Sequence, residues 1–156
     1  MYTSSCCFSG HRKLPATKLQ HIATRLYSEI DKLIQKGVTT YIVGGARGFD
    51  LIAASMVFSR KENGDNIRLV FALPCHNHDE KWTADEKDLF RSLLKKADEI
   101  IYVSEEYDTK CMKRRNYYMV DHSAYCICAL LYNRSGTSQT VAYAHIKGLQ
   151  VINVAE

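Results

Sequence analysis

The stretch "YIVGGARGFD", residues 41–50, begins like the inside of a buried strand and then places three glycines, an arginine and an aspartate within seven positions. The β-branched and aromatic run from Thr39 to Val43 favours a strand, and "LIAASMVFSRK", which follows the glycines, has helical character. The quoted residues are therefore the joint between a strand and a helix. Gly44, Gly45 and Gly48 allow positive φ and close approach of another group, and the next helix offers unpaired N–H groups at its positive end. Two readings stay open here, a loop that cradles an anion and a plain tight turn. The pattern is neither GxGxxG nor GxxxxGKS, so it implies neither the standard dinucleotide fingerprint nor a P-loop.

Outward from this joint the alternation repeats. Upstream, a short apolar run from Cys6 to Ser9 precedes a helix with Leu19, Ile22, Ala23, Leu26, Ile30, Leu33 and Ile34 at helical spacing. Downstream come a strand from Ile67 to Pro74, a helix in "ADEKDLFRSLLKKA", a strand in "EIIYVS" and a helix from Met112 to His122. The strand "AYCICALLY", the helix "SQTVAYAHIKG" and the strand "LQVINV" complete the chain. Strands apolar on both faces and separated by helices form parallel sheets, because parallel pairing needs crossovers and right-handed crossovers cover the sheet. The expected fold is α/β, Rossmann-like and doubly wound: a mainly parallel sheet of about six strands flanked by helices, as one domain over residues 1–156.

Composition narrows the functional classes. With 46% apolar and 24% charged residues the chain has an ordinary globular balance. No apolar run reaches the roughly 18 residues of a membrane span, so a soluble protein with no membrane partner is expected. Met1 to Gly10 lacks a basic region followed by a long apolar segment, which predicts a cytoplasmic location. The six cysteines, Cys6, Cys7, Cys75, Cys111, Cys126 and Cys128, then read as reduced thiols acting as small core hydrophobes. Cys126 and Cys128 share one strand face but lack a second pair at zinc spacing, and neither a metal nor another cofactor is expected. A net charge of +4 mildly favours anionic ligands.

In doubly wound folds ligands bind at the carboxyl ends of the strands, where strand order reverses. The loops to inspect are "SGHRKLP", "GGARGFD", "PCHNHDEKW", "SEEYDTKCMKRRN" and "NRSGTSQT". The last of these puts Gly136 and Thr137 at the start of a helix, a second small, hydroxyl-rich anion nest. Arg47 suits a bidentate phosphate clamp, and Asp50 suits a ribose hydroxyl or simply the positive end of its helix. Arg115 and Asn116 begin a helix at the crevice mouth; Asp121 and Ser123 read either as site wall or as a helix stop. His76 and His78 sit in one loop, without a common zinc spacing.

Four segments in order, "CCFSGHRKLP", "YIVGGARGFD", "KRRNYYMVDHS" and "SGTSQTVAYAHIKG", resemble the SLOG superfamily, which includes the SMF/DprA and LOG proteins, and within it the YpsA-like branch. The resemblance implies a pocket for a nucleotide or nucleotide derivative. It assigns Ser9, Gly10, His11 and Arg12 to the branch's N-terminal motif, Gly44, Gly45, Arg47, Gly48 and Asp50 to the first loop, and Gly136, Thr137 and Thr140 to the second. It also implies that relatives dimerise through helices, making a homodimer an expectation. LOG enzymes split the N-glycosidic bond of a nucleoside monophosphate with a glutamate that follows the GT pair; here Thr140 stands in that position, and Ser135 stands where a glycine is usual. Met112 and Arg115 match the spacing of the LOG helix that carries an arginine.

Three functions remain open from sequence. The first is a module that binds a nucleotide or nucleotide-derived ligand as a sensor or regulator. The second is an enzyme of N-glycosidase type with Asp50, Arg115 or Asp121 among its catalytic groups. The third, with nucleic acid not expected as the partner, is single-strand DNA binding along Lys110, Lys113, Arg114 and Arg115, since the chain offers one short basic cluster and no extended stripe.

Overall fold

The computed structural model describes residues 4–156, so Met1 to Thr3, part of the stretch inspected for a leader, lie outside it. Strands and helices alternate: β1 (Ser5–Gly10), α1 (Ala16–Gln35), β2 (Thr40–Val43), α2 (Phe49–Glu62), β3 (Arg68–Leu73), α3 (Ala84–Lys96), β4 (Glu99–Tyr102), α4 (Cys111–Asp121), β5 (Tyr125–Ala129), α5 (Gly136–Ile146) and β6 (Gln150–Asn153). The strands form a six-stranded sheet in the order β4-β3-β2-β1-β5-β6. Every pairing is parallel; Cys7, for example, is in register with Ile42 on one side and Cys126 on the other. This is the doubly wound, Rossmann-like α/β fold.

Helix positions follow from the apolar pattern. In α1, Ile22, Leu26, Ile30 and Leu33 repeat at helical spacing and are all buried. They join Phe8, Tyr41, Phe71 and Ile127 of the sheet and Phe49, Val57, Phe90 and Leu93 of α2 and α3 in one core. On the other face Cys7, Ile42, Val70, Cys126 and Cys128 meet Met119 and Val120 of α4 and Val141 and Ala144 of α5. All six cysteines are buried free thiols, and Cys126 and Cys128 do share one face. Helix α3 starts with a capping box, in which the Thr83 side chain accepts from the Glu86 N–H and Glu86 reaches back to Thr83.

Strand order reverses between β1 and β5. The chain leaves β1 toward β2 on one side and leaves β5 toward β6 on the other, so the loops after these two strands diverge and open a crevice. Among the described residues no helix is long and apolar enough to cross a membrane.

Candidate functional site

The crevice holds a cavity of about 540 Å³ lined from five directions, one of them the first turn of α3, which brings Glu86. The end of β1 and its loop supply Ser9, Gly10, His11, Arg12 and Lys13; the β2–α2 turn supplies Ala46, Arg47 and Asp50; α4 supplies Met112, Arg115 and Asn116; the β5–α5 turn supplies Tyr132, Ser135, Gly136 and Thr137. Most residues expected at the site therefore meet in one place. Four cations (Arg12, Lys13, Arg47 and Arg115) face two carboxylates (Asp50 and Glu86), which leaves the cavity net positive.

Of the two readings left open for the glycine loop, its packing fits the tight turn. Gly48 has φ 74° and ψ −120°, a region that side chains avoid. A Cβ there would collide with the backbone carbonyls of Arg12 and His11, and the Phe49 N–H donates to the His11 carbonyl at 3.2 Å. Gly45, at φ 71°, lies against Leu73 and Phe90. A Cβ on Gly44 would come within 2.8 Å of the Arg115 guanidinium. The bare backbone is thus required by the protein's own packing. The anion on this loop is Asp50, whose Oδ2 accepts from the Ala46 N–H at 3.1 Å.

Asp50 and Arg115 are both buried, at 5% exposure each. Burial pushes the Asp50 carboxyl up to about 6, against the opposing pull of Arg115 and of the Ala46 N–H. Burial also lowers the Arg115 pKa; Asp50 counters this, while the like charge of Arg12 adds to it. Arg115 donates through Nη1 to the Gly44 carbonyl, and through Nε to the Asn116 side chain at 2.8 Å. It is consequently a bolt between α4 and the β2 end as well as a cavity wall.

The β5–α5 turn is open by contrast. Ser135 and Ser138 form a capping box, so the third amide of α5 is satisfied by the Ser135 hydroxyl at 3.1 Å. Gly136 and Thr137, the first two residues of the helix, line the cavity, and their N–H groups have no intrahelical acceptor. Nothing lies within 4 Å of a Cβ built on Gly136. His11 ties this side to β1: the Leu131 N–H donates to its Nε2 at 3.0 Å, and its ring stacks on Tyr132 with centroids 4.0 Å apart. Burial lowers its pKa, which suits a neutral ring accepting at Nε2.

Three of the expected side chains lie outside the cavity lining. Thr140 is buried and donates to the Gly136 carbonyl at 2.8 Å, the local back-bond that a helical threonine hydroxyl makes to the residue four positions earlier. Ser123 donates to the Met119 carbonyl at 2.8 Å and closes the end of α4. Asp121 is exposed and accepts from the Tyr143 hydroxyl at 2.7 Å. These last two precede β5, so they lie at the amino edge of the sheet, opposite the crevice. Gly44, Gly45 and Gly48 support the site from behind and do not line it.

A second cavity of about 500 Å³ adjoins the first and shares Arg12, Ala46, Arg47, Met112 and Arg115 with it. The "CHNHDEKW" loop forms its far wall. His78 is hydrogen-bonded to the Gly45 carbonyl at 2.9 Å, and His76 stacks on Tyr102 with centroids 3.7 Å apart, so the two rings do not converge on a metal. Sequence reasoning did not single out Lys13, Ala46, Glu86 or Tyr132. Lys13 and Tyr132 were findable as neighbours of Arg12 and Ser135 on strand-end loops; Glu86 was not, because it arrives from the first turn of α3.

The family model of the YspA SLOG family, named YpsA, matches residues 9–152. The chain belongs to this family. Among curated proteins it is 33% identical to the SPbeta prophage-derived protein YoqJ of Bacillus subtilis (strain 168), over 77% of this chain and 78% of that protein. It is 25% identical to a UPF0398 protein of Bacillus pumilus (strain SAFR-032), over 66% of this chain and 56% of that one. Among solved structures, this YspA SLOG chain is similar to DNA processing protein A of Helicobacter pylori, described with a single-stranded DNA binding mode, at a TM-score of 0.67 and 17% identity. The match covers 94% of this chain and 63% of that one. DNA processing protein A of Streptococcus pneumoniae matches at a TM-score of 0.67 and 14% identity, over 96% of this chain and 49% of that chain. At these identities the structural likeness establishes the fold.

Proposed function

We propose that the chain binds a nucleotide or nucleotide-derived phosphorylated ligand in the crevice between the carboxyl ends of β1 and β5, as a sensor or regulatory module. The observation that carries this is the open start of α5 facing four cations across one cavity: Gly136 and Thr137 present amides, and Arg12 and Lys13 are exposed cations. A phosphate held by amides at a helix start and by a guanidinium is a recurrent arrangement. Asp50 offers a carboxylate to a sugar hydroxyl. A regulatory role is preferred over N-glycosidase action because the residue in the usual glutamate position, Thr140, is buried and committed to the Gly136 carbonyl. A hydroxyl cannot supply the charge that an oxocarbenium-like transition state requires.

Calorimetry with adenosine monophosphate and with adenosine tests the reading. The monophosphate is expected to bind and the nucleoside to bind at least about 10-fold more weakly, since only the former offers the anion. Equal affinities, or no binding of either, would overturn it.

The single-stranded DNA binding of the Helicobacter neighbour stands against ruling out nucleic acid, and supports a second reading in which Arg12 and Lys13 begin a backbone track. The basic cluster once assigned to such a track is dispersed. Arg115 is buried, Arg114 is held by Asp108 and Ser104, and Lys113 lies over the Tyr117 ring. Titration of a deoxythymidine 12-mer at two salt concentrations separates the readings. Tight binding that weakens steeply with salt favours the track.

A further inference from the structure

The open turn is held by tethers on its two sides. Between the end of β5 and the start of α5 the chain runs from Leu130 to Ser135, and Arg134 within it has φ 58°, a region that residues other than glycine seldom adopt. On the β6 side the Asn153 side chain accepts from the Leu130 N–H at 3.0 Å and donates to the Leu130 carbonyl at 3.1 Å. On the β1 side the tether is His11. The Leu131 N–H donates to its Nε2, and the exposed Tyr132 ring lies flat on the imidazole, with an interplanar angle of 12°. Strands β1 and β5 are in register as far as Gly10 and Ala129, so His11 takes over where the ladder stops.

His11 is itself fixed. The residue is buried, and its carbonyl accepts from the Phe49 N–H. Its backbone thus belongs to the closed turn and its side chain to the open one. An Nε2 that accepts from an amide presents a lone pair, so the ring is neutral with its proton on Nδ1. A second proton would set N–H against N–H. Burial already lowers the pKa of His11. The charged groups around the same cavity are Arg12 and Lys13 on its own loop, Arg47 and Asp50 from the β2–α2 turn, Glu86 from α3 and Arg115 from α4, with the Tyr132 phenol beside the ring. A histidine that grips an anion directly does so as the imidazolium, whereas one that accepts from an amide works only while uncharged.

We infer that His11 is a positioning residue for the phosphate site: through the Leu131 amide and the Tyr132 ring, its neutral side chain holds the β5–α5 turn so that the Gly136 and Thr137 amides face the crevice, and it does not itself bind the anion. This rests on the nucleotide reading above and adds the group that shapes the site. The two roles differ in sign. A direct imidazolium contact tightens phosphate binding as pH falls. A neutral tether weakens it, because protonation depletes the turn conformation that binds.

The experiment titrates adenosine monophosphate calorimetrically into the parent, His11→Gln and His11→Leu between about pH 5 and about pH 8, the range that brackets an ordinary imidazole. Thermal unfolding checks that each protein is folded throughout. Gln keeps an acceptor without a titrating group, and Leu keeps neither. Asp50 and the nucleotide phosphate titrate in the same range, but both are common to every titration, so the ratio of parent to His11→Gln affinity isolates the imidazole. At about pH 8, His11→Gln is expected to bind within about 3-fold of the parent and His11→Leu about 5- to 10-fold more weakly. On acidification to about pH 5 the parent should lose about 3-fold or more relative to His11→Gln. A ratio that stays flat or rises on acidification, or His11→Leu binding as tightly as His11→Gln, would overturn the positioning role and leave the nucleotide reading standing. A folded parent that binds adenosine monophosphate at no pH takes both down.

Discussion

The turn from β2 to α2 and the turn from β5 to α5 flank β1 at the same sheet edge, and both carry a glycine where a helix begins. Their backbones serve opposite purposes. The first is closed on itself: Gly48 lies under the Arg12 backbone, Gly44 under Arg115, and Asp50 accepts from the Ala46 N–H. The second is open: Gly136 has no neighbour around its Cβ position, and the capping serines leave the first two amides of α5 unused. A glycine-rich strand-to-helix turn is thus ambiguous by itself. The same positive φ admits a ligand in one protein and a neighbouring loop in another. What distinguishes the two turns is whether the space beside the glycine is already filled.

The sharpest break of this comparison is Gly48→Val. It combines a forbidden φ with overlap against the Arg12 carbonyl, so a loss of about 3 kcal/mol or more in unfolding free energy is expected. Denaturant unfolding of the parent and variant measures it. A variant as stable as the parent would show that the first turn is not packed as described.

Asp50→Asn has the next effect, through pH. Asp50 in the unfolded chain titrates near 3.8, and in the folded chain at about 6. Between those values the folded state retains a proton that the unfolded state has released. Stability from this group therefore declines as pH rises through the window, by on the order of 3 kcal/mol, and levels off above about pH 6. Denaturant midpoints from pH 4 to 7 should show that decline in the parent and its loss in Asp50→Asn. A parent-minus-variant difference that is flat across the window would contradict the buried carboxylate.

Much of the fold was legible because its signals are local. Apolar runs marked every strand, and Leu26, Ile30 and Leu33 marked the buried side of α1. Strand order was not legible, since it depends on which strands pair across long sequence distances. The site was half legible. His11, Arg12, Arg47, Asp50, Arg115, Asn116, Gly136 and Thr137 do come together. Asp121 and Ser123 were misplaced because a helix that starts at the crevice must end at the opposite edge before the next strand begins. Thr140 was misplaced because the resemblance assigns it to the GT loop, whereas its hydroxyl is turned back on the Gly136 carbonyl.

A smaller effect sharpens the comparison on the open side. Arg12 is exposed and lines both cavities. Arg12→Ala should leave stability within about 0.5 kcal/mol of the parent and weaken adenosine monophosphate by about 10-fold, the loss of one charge-assisted contact. Calorimetry alongside thermal unfolding separates the two outcomes. Undiminished affinity would remove Arg12 from the phosphate site.

The most direct measurement uses the one substitution that deletes an amide donor while suiting the helix. Gly136 is the first residue of α5 and follows Ser135 in extended conformation, so proline fits both positions. Gly136→Pro should keep the unfolding free energy within about 1 kcal/mol of the parent while removing the N–H proposed to hold phosphate. Calorimetry is then expected to show adenosine monophosphate bound about 10- to 150-fold more weakly, the equivalent of about 1.5 to 3 kcal/mol for a hydrogen bond to a charged group. A stable Gly136→Pro protein that binds the monophosphate as tightly as the parent would contradict the assignment of the anion to the open turn.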